Sequence, residues 1–311
     1  MAKGELFPRT PSQPWRWRGL SDRQLAFVFV LPTAALLLVL QLYPFLLAAH
    51  DSLFETSLYT GEQAWTGIQN YLIVLRAPGT HDAFVRSLIF VVAGMTIQTS
   101  VGIVTALLLN SGLRGQTLAR GLTFFPYMVP AIVAAMAFRI SFNEVYGIVD
   151  YVLVSLHIVS KPISFLTDTH TILLTVIIVT SWKFIPFMTI ALLARLQTLP
   201  RDMLEAATVD GAGRIRRFWH ITLPWLMPVL LVAMLLRTIW MGTEFDTPYL
   251  VAFGGPLSAS TLVPIQIRTL YVQEFEVGQA CALALSIAVV LAIAALFYLW
   301  AYRKVERQTL E

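Results

Sequence analysis

Residues 205–212 read Glu-Ala-Ala-Thr-Val-Asp-Gly-Ala, and residues 221–224 read Ile-Thr-Leu-Pro. Both belong to a polar, arginine-bearing insert, residues 200–224, between two apolar runs that are each long enough to cross a bilayer. A membrane-spanning chain that holds no nucleotide of its own needs a surface on which an energy source can act. We predict that the polar insert is that surface.

The composition indicates a membrane protein. Of the 311 residues, 57% are apolar and 13% are charged, against about 25% charged in an ordinary soluble domain. The formal net charge is +4, but the basic residues lie at the ends of apolar runs and form no continuous stripe, which argues against nucleic acid as a partner. The single cysteine, Cys281, allows neither an internal disulfide nor a cysteine metal cluster.

Six apolar runs have the length of about 20 residues that a transmembrane helix needs. Because none shows the alternation of a barrel strand, we predict an all-α membrane protein with six transmembrane helices. The domain prediction is a basic tail over 1–24, a six-helix domain over 25–303 and a second tail over 304–311. The runs lie near 25–49, 87–109, 121–141, 172–194, 222–242 and 279–302.

The distribution of basic residues predicts the orientation. With the N-terminus inside, the cytoplasmic segments carry fifteen Lys and Arg residues and the opposite face carries five. This asymmetry is a positive-inside signal, so both termini and the polar insert are expected in the cytoplasm. The outer connections, near 50–86, 142–171 and 243–278, are too short to build cores of their own.

The polar insert has the features of a short helix followed by a turn. Pro200 ends the preceding run, and residues 201–209 contain good helix formers. Gly211 can adopt the left-handed conformation that stops such a helix. A second amphipathic stretch follows. From spacing alone, an amphipathic linker that rests on lipid headgroups is an equal alternative.

Two other functional classes remain to be weighed. No G-x-x-x-x-G-K-[ST] segment is present, and the five histidines have no metal-ligand spacing. A membrane-embedded enzyme would need a cluster of acids or histidines at depth, which the sequence lacks. A secondary, ion-coupled transporter of a small polar solute would need an intramembrane ion relay, for which Lys183 alone is a poor candidate.

The polar insert resembles the cytoplasmic "EAA" loop of the permease subunits of bacterial, binding-protein-dependent ATP-driven importers. The positions that match are Glu205, Ala206, Ala207, Asp210, Gly211, Ala212, Phe218, Ile221, Leu223, Pro224 and Pro228. Other stretches resemble the six-helix carbohydrate permeases of the maltose-importer type, among them Gly67-Ile68-Gln69-Asn70-Tyr71, Trp182-Lys183-Phe184-Ile185-Pro186 and Gly254-Gly255-Pro256. The resemblance extends from about residue 25 to 303. Departures from the pattern are Arg195, Asp150, Ala252-Phe253 and Gln279.

This resemblance implies the type I ABC importer permease fold, with the coupling loop over 195–221. It implies a multi-pass protein of the bacterial inner membrane that works with a second permease subunit as a heterodimer, with two ATPase subunits and with an external or periplasmic solute-binding protein. No cofactor is expected in this chain, because ATP and Mg would be bound by the ATPase subunits. The residues implied in ATPase coupling are Glu205, Ala206, Ala207, Asp210, Gly211, Ala212, Leu223 and Pro224.

Polar and aromatic residues in the fourth and fifth runs are candidates for solute contacts. Lys183 lies near the centre of its run, where an unpaired charge costs about 2.5–3.5 kcal/mol, so it should face protein or a water-filled cavity. Carboxylates that accept hydrogen bonds from hydroxyl groups, beside aromatic rings, suit a polyol. The resemblance implies a carbohydrate, with a di- or oligosaccharide as the leading candidate. The alternatives are that Lys183 pairs with a neighbouring helix and that Arg237 extends outward. The candidates are Trp182, Lys183, Trp240, Glu244, Asp246 and Tyr249.

Overall fold

The computed structural model describes residues 21–56, 63–112 and 115–310, so residues 1–20 of the predicted basic tail lie outside it. The chain divides into two compact units, residues 1–50 and 51–311. The first unit contains helix α1 (Asp22–Leu37), a π-helical segment (Leu38–Leu42) and most of α2 (Tyr43–Asp51). Ser21 caps α1 through a reciprocal pair of hydrogen bonds with Gln24, as in a capping box.

The second unit begins with a short antiparallel hairpin, β1 (Phe54–Thr56) and β2 (Gln63–Trp65), in which Phe54 pairs with Trp65. Its remaining elements are helical. In chain order they are α3 (Gln69–Arg76), α4 (Pro78–Asn110), α5 (Gln116–Met128), α6 (Ala131–Ser141), α7 (Ile148–Ser155), α8 (Ile172–Leu196), α9 (Arg201–Val209), α10 (Arg214–Arg217), α11 (Leu223–Gly242), α12 (Asp246–Ala252), α13 (Val263–Arg268) and α14 (Val277–Leu310).

Five helical stretches among the described residues are long and apolar enough to cross a membrane: Arg23–Asp51, Pro78–Asn110, Ile172–Leu196, Arg214–Gly242 and Val277–Arg307. The pair α5 and α6 provides a sixth if it forms one broken span. These stretches correspond to the six predicted runs, and they confirm the all-α membrane fold.

The third predicted run, 121–141, is not one straight helix. The axes of α5 and α6 differ in direction by 96° across a break at Val129 and Pro130. Val129 has an extended backbone, with φ −72° and ψ 126°. The cause is local, because the ring of Pro130 disfavours the helical conformation of the residue before it and proline has no N–H to continue the helix.

The core of the second unit lies between α4, α8 and α11. Its fully buried side chains include Phe90 of α4, Met188 and Leu192 of α8, and Leu226 of α11. A smaller apolar cluster joins α3, α4, α13 and α14 through Val74, Ala83, Val263 and Leu283, among others. Helices α3 and α13, which belong to the outer connections around 50–86 and 243–278, are therefore packed against spanning helices.

Asn70 and Gly278 attach the hairpin to the start of α14. The Asn70 side-chain amide donates hydrogen bonds to the carbonyl oxygens of Ser52 (3.0 Å) and Phe54 (2.9 Å). A Cβ atom at Gly278 would overlap the Phe54 carbonyl oxygen and the Asn70 amide. Hydrogen, the side chain of glycine, is thus the only one that fits against this attachment.

We expect Gly278→Ala to destabilise this end of the protein, because the added methyl group would displace a backbone carbonyl and a buried amide. Overpacking of this kind costs about 1–3 kcal/mol. The melting temperature of the purified protein in detergent, determined with a fluorescence thermal-shift assay, measures the effect. Gly79→Ala is the matched control, since a Cβ there would have no neighbour within 4 Å. Equal melting temperatures for the two variants would contradict the assignment.

Candidate functional site

The polar insert folds as two short helices joined by a tight turn. Helix α9 ends at Val209, and Gly211 adopts a left-handed conformation with φ +78°. The N–H of Ala212 donates to the Ala207 carbonyl oxygen (2.9 Å), and the N–H of Gly211 donates to that of Thr208 (3.1 Å). This pair of bonds is a Schellman motif, which requires the left-handed residue. The predicted role of Gly211 in stopping the helix is confirmed.

The surface of the polar insert is exposed and partly apolar. Glu205 and Ala206 are exposed, and the side chains of Val209 and Ile215 are 88% and 77% accessible. Across the turn, the Arg217 guanidinium donates to the Thr208 hydroxyl at 2.6 Å, which links the two helices. The insert is therefore a defined helical hairpin that presents three exposed carboxylates (Asp202, Glu205 and Asp210), small alanines and uncovered apolar groups.

A second feature is a cavity of about 470 Å³ at the other end of α11. Three of the predicted solute contacts, Trp240, Glu244 and Asp246, line it. Aromatic residues from two other helices, Tyr127 of α5 and Phe184 of α8, close its sides. The complete lining is Tyr127, Phe184, Arg237, Trp240, Thr243, Glu244, Phe245 and Asp246.

Arg237 forms the buried wall of this cavity and is completely inaccessible. Its Nε donates to the Gln98 side-chain oxygen at 2.9 Å, and its guanidinium carbon lies 4.0 Å from the centre of the Phe184 ring. Within the described residues, its two Nη groups have no hydrogen-bond partner. The alternative in which Arg237 extends outward is therefore wrong, because Gln98 and Phe184 hold it inside the protein.

The sequence profile of one protein family matches residues 98–310, which include the polar insert and every residue of the cavity lining. The family is described as the binding-protein-dependent transport system inner membrane component. The chain belongs to this family.

Individual relatives agree with that assignment. The chain is 32% identical over 263 residues to the trehalose/maltose transport system permease protein MalF of Thermococcus litoralis, covering 84% of this chain and 88% of the relative. It is 33% identical over 270 residues to the sulfoquinovosyl glycerol transport system permease protein SmoG of Agrobacterium fabrum, covering 86% and 87%.

Among solved structures, a bacterial ABC transporter that imports the acidic polysaccharide alginate has a chain with the same fold. The TM-score is 0.78 at 21% sequence identity, and the match covers 90% of this chain and 95% of the other. The predicted type I importer permease fold is confirmed. This permease is a multi-pass inner-membrane component, and the secondary-transporter alternative is abandoned.

The other three predicted solute contacts do not line the cavity of this permease. Lys183 donates from Nζ to the Val129 carbonyl oxygen, 2.5 Å away, at the break between α5 and α6. Trp182 packs edge-on against Phe138 of α6, with ring centres 5.0 Å apart. Tyr249 stacks on Phe245, which does line the cavity, with ring centres 4.8 Å apart.

The position of Lys183 therefore agrees with the alternative, in which this side chain pairs with a neighbouring helix. A carbonyl that loses its helical partner at a break needs a donor, and the Lys183 ammonium supplies one. Sequence reasoning did not include Tyr127 or Phe184 among the cavity residues. The signal for Phe184 was present in the matched Trp182-Lys183-Phe184 stretch, whereas Tyr127 is identified only by the bend that brings α5 to α8.

Proposed function

We propose that this chain is the transmembrane permease subunit of an ATP-driven importer that translocates a carbohydrate, with a di- or oligosaccharide as the leading candidate. The observation that carries the proposal is the polar insert, an exposed helical hairpin with its left-handed glycine, in a member of a family of binding-protein-dependent transport components. An external solute-binding protein would deliver the sugar. Both termini would lie in the cytoplasm, as the positive-inside signal predicts.

The polar insert would be the docking element for the ATPase. Glu205 would pair with a basic group on that subunit, Ala206 and Ala207 would permit close approach, and Gly211 would fix the bend. The turn of the hairpin would be shaped by Asp210 and Ala212, and its junction with α11 by Leu223 and Pro224. In this position the exposed Val209 and Ile215 side chains would be covered by protein rather than by lipid headgroups.

The cavity chemistry supports a polyhydroxy solute. Glu244 and Asp246 can accept hydrogen bonds from hydroxyl groups, and Trp240 contributes an indole ring, a group that can pack against the apolar face of a sugar. The cationic Arg237 behind them can donate to ring or hydroxyl oxygens once its Nη groups are reached. The names of the relatives, which include a trehalose/maltose and a sulfoquinovosyl glycerol permease, support the same solute class.

The cycle would be alternating access. Two ATPase subunits would bind ATP and Mg, and their closure would push the polar insert of this chain and the corresponding element of a second permease. Because the insert continues through a π-helical turn (Phe218–Thr222) into α11, its displacement would move the helix that carries Arg237 and Trp240. ATP hydrolysis would reset the complex.

We expect the chain to co-purify stoichiometrically with ATPase subunits when it is expressed with the other components of its system. In proteoliposomes that enclose ATP, uptake of radiolabelled maltose or trehalose should require both ATP and the external binding protein. Liposomes with a non-hydrolysable ATP analogue serve as the control. Uptake that proceeds without the ATPase subunits and follows an imposed ion gradient would overturn the proposal.

A further inference from the structure

Arg195 and Trp225 exchange two hydrogen bonds at the base of the polar insert, where its two ends join α8 and α11. Arg195 is in the last turn of α8 and Trp225 is in the first turn of α11. The Arg195 Nε donates to the Trp225 carbonyl oxygen at 3.1 Å, and the Trp225 indole N–H donates to the Arg195 carbonyl oxygen at 3.2 Å. The guanidinium carbon also lies 4.1 Å from the centre of the indole ring.

These contacts use groups that helix ends leave available. The carbonyl of a residue in the last turn of a helix lacks the usual donor four residues further on. The Arg195 carbonyl accepts hydrogen bonds from the N–H (3.1 Å) and the hydroxyl (2.8 Å) of Thr198, and it also accepts the Trp225 indole N–H. The planar guanidinium stacks on the indole face while Nε points at the carbonyl of α11. Lysine cannot make both contacts, because its ammonium group is not planar and its side chain has no second nitrogen that corresponds to Nε.

The contact closes the polar insert at its base. The Arg217–Thr208 hydrogen bond links α9 and α10 within the hairpin, while Arg195 and Trp225 link the two long helices from which the hairpin emerges. A force on a hairpin whose ends could separate would be absorbed by that separation. With the base closed, the same force displaces α8 and α11 together.

We propose that Arg195 and Trp225 form a positioning clamp that makes the ends of α8 and α11 move as one body with the polar insert. The inference rests on the proposed function, since it requires an ATPase that acts on the insert. The clamp does not touch solute or nucleotide. Its removal should leave ATP hydrolysis running while less of it is converted into transport.

The test compares transport and ATP hydrolysis in the reconstituted complex with its ATPase subunits and binding protein, using radiolabelled maltose or the solute found for the wild type. For Arg195→Ala we expect uptake to fall about tenfold while ATP hydrolysis stays within about twofold. Arg195→Lys should resemble Arg195→Ala. Trp225→Phe, which keeps a ring but removes the indole N–H, should give an intermediate ratio of transport to hydrolysis.

Arg303→Ala, which removes an exposed arginine from α14, is the control and should keep the wild-type ratio. Rates are normalised to assembled complex, so that a loss of folding does not imitate uncoupling. An unchanged ratio in Arg195→Ala, or a proportional fall of uptake and hydrolysis, would overturn the clamp alone. A wild-type complex that hydrolyses ATP without any uptake would overturn the proposed function and the clamp with it.

Discussion

Gly211→Asp is expected to abolish ATP-driven uptake while the protein still inserts into the membrane. The left-handed backbone at φ +78° costs an L-residue about 1 kcal/mol, and the new carboxylate would stand beside Asp210 on the proposed docking surface. An unpaired charge enclosed in an interface is far more costly than the backbone strain. Uptake of labelled sugar by reconstituted complexes, normalised to assembled protein, measures the effect.

Gly112 offers a matched control for this prediction. It lies after the end of α4 with φ +77°, and, as at Gly211, a Cβ there would have no neighbour within 4 Å. Gly112→Asp therefore carries the same backbone cost outside the polar insert and should retain most of the uptake. Equal losses in the two variants would mean that backbone strain alone is responsible, and the docking role of Gly211 would be withdrawn.

Two further substitutions, Gly211→Asn and Gly211→Ala, separate the effect of backbone conformation from the effect of side-chain size. Asparagine tolerates the left-handed conformation better than other non-glycine residues. If the bend is what matters, Gly211→Asn should keep more uptake than Gly211→Ala. If close approach of the ATPase backbone is what matters, the smaller alanine should keep more.

The elements that sequence predicts best are those decided by one continuous property. The run near 172–194 corresponds to α8 (Ile172–Leu196), because an uninterrupted apolar stretch leaves helix as the only way to satisfy its backbone in lipid. The predicted run near 87–109 lies within α4, which begins nine residues earlier, at Pro78. The first turns of α4 are polar, and a hydropathy pattern does not predict the part of a helix that lies outside its apolar run.

The elements that sequence predicts poorly depend on contacts between distant segments. The carbonyl that Lys183 binds is 54 residues away in the sequence, and no local pattern indicates it. The 96° bend at Val129 has a local cause, Pro130, but hydropathy is continuous across 121–141 and does not register it. A charge within a span must face protein or water, but the sequence does not say which helix receives it. Gln98 is 139 residues from Arg237, and nothing in either local pattern connects them.

The candidate site divides in the same way. The left-handed conformation of Gly211 follows from a local property, the absence of a Cβ atom in glycine, and sequence alone identified it. The cavity requires α5, α8 and α11 to converge, and sequence identified only three contributions from one continuous stretch: Trp240 of α11, Glu244 of the following connection and Asp246 at the start of α12. Residues consecutive with Lys183 face different neighbours, which is why Phe184 lines the cavity and Trp182 packs against α6.

Asp246→Asn and Trp240→Ala are expected to raise the KM for sugar uptake about tenfold, with a smaller change in maximal rate. A hydrogen bond to a charged group contributes about 1.5–3 kcal/mol, and 1.4 kcal/mol corresponds to a factor of ten in affinity. Asp246 is exposed at the cavity, and the Trp240 ring, 41% accessible, is held edge-on by Phe187 at 5.2 Å. Both side chains are therefore placed to meet a solute without supporting the core.

The control for this pair is Trp300→Ala, which removes the same ring from an exposed part of α14 outside the cavity lining. Its KM should equal that of the wild type. Because a contact made equally in the bound and transition states affects KM rather than maximal rate, the KM effect distinguishes solute binding from impaired coupling. If neither cavity variant changes KM, the cavity is not the solute site, and the proposed contacts of Trp240 and Asp246 with solute are withdrawn.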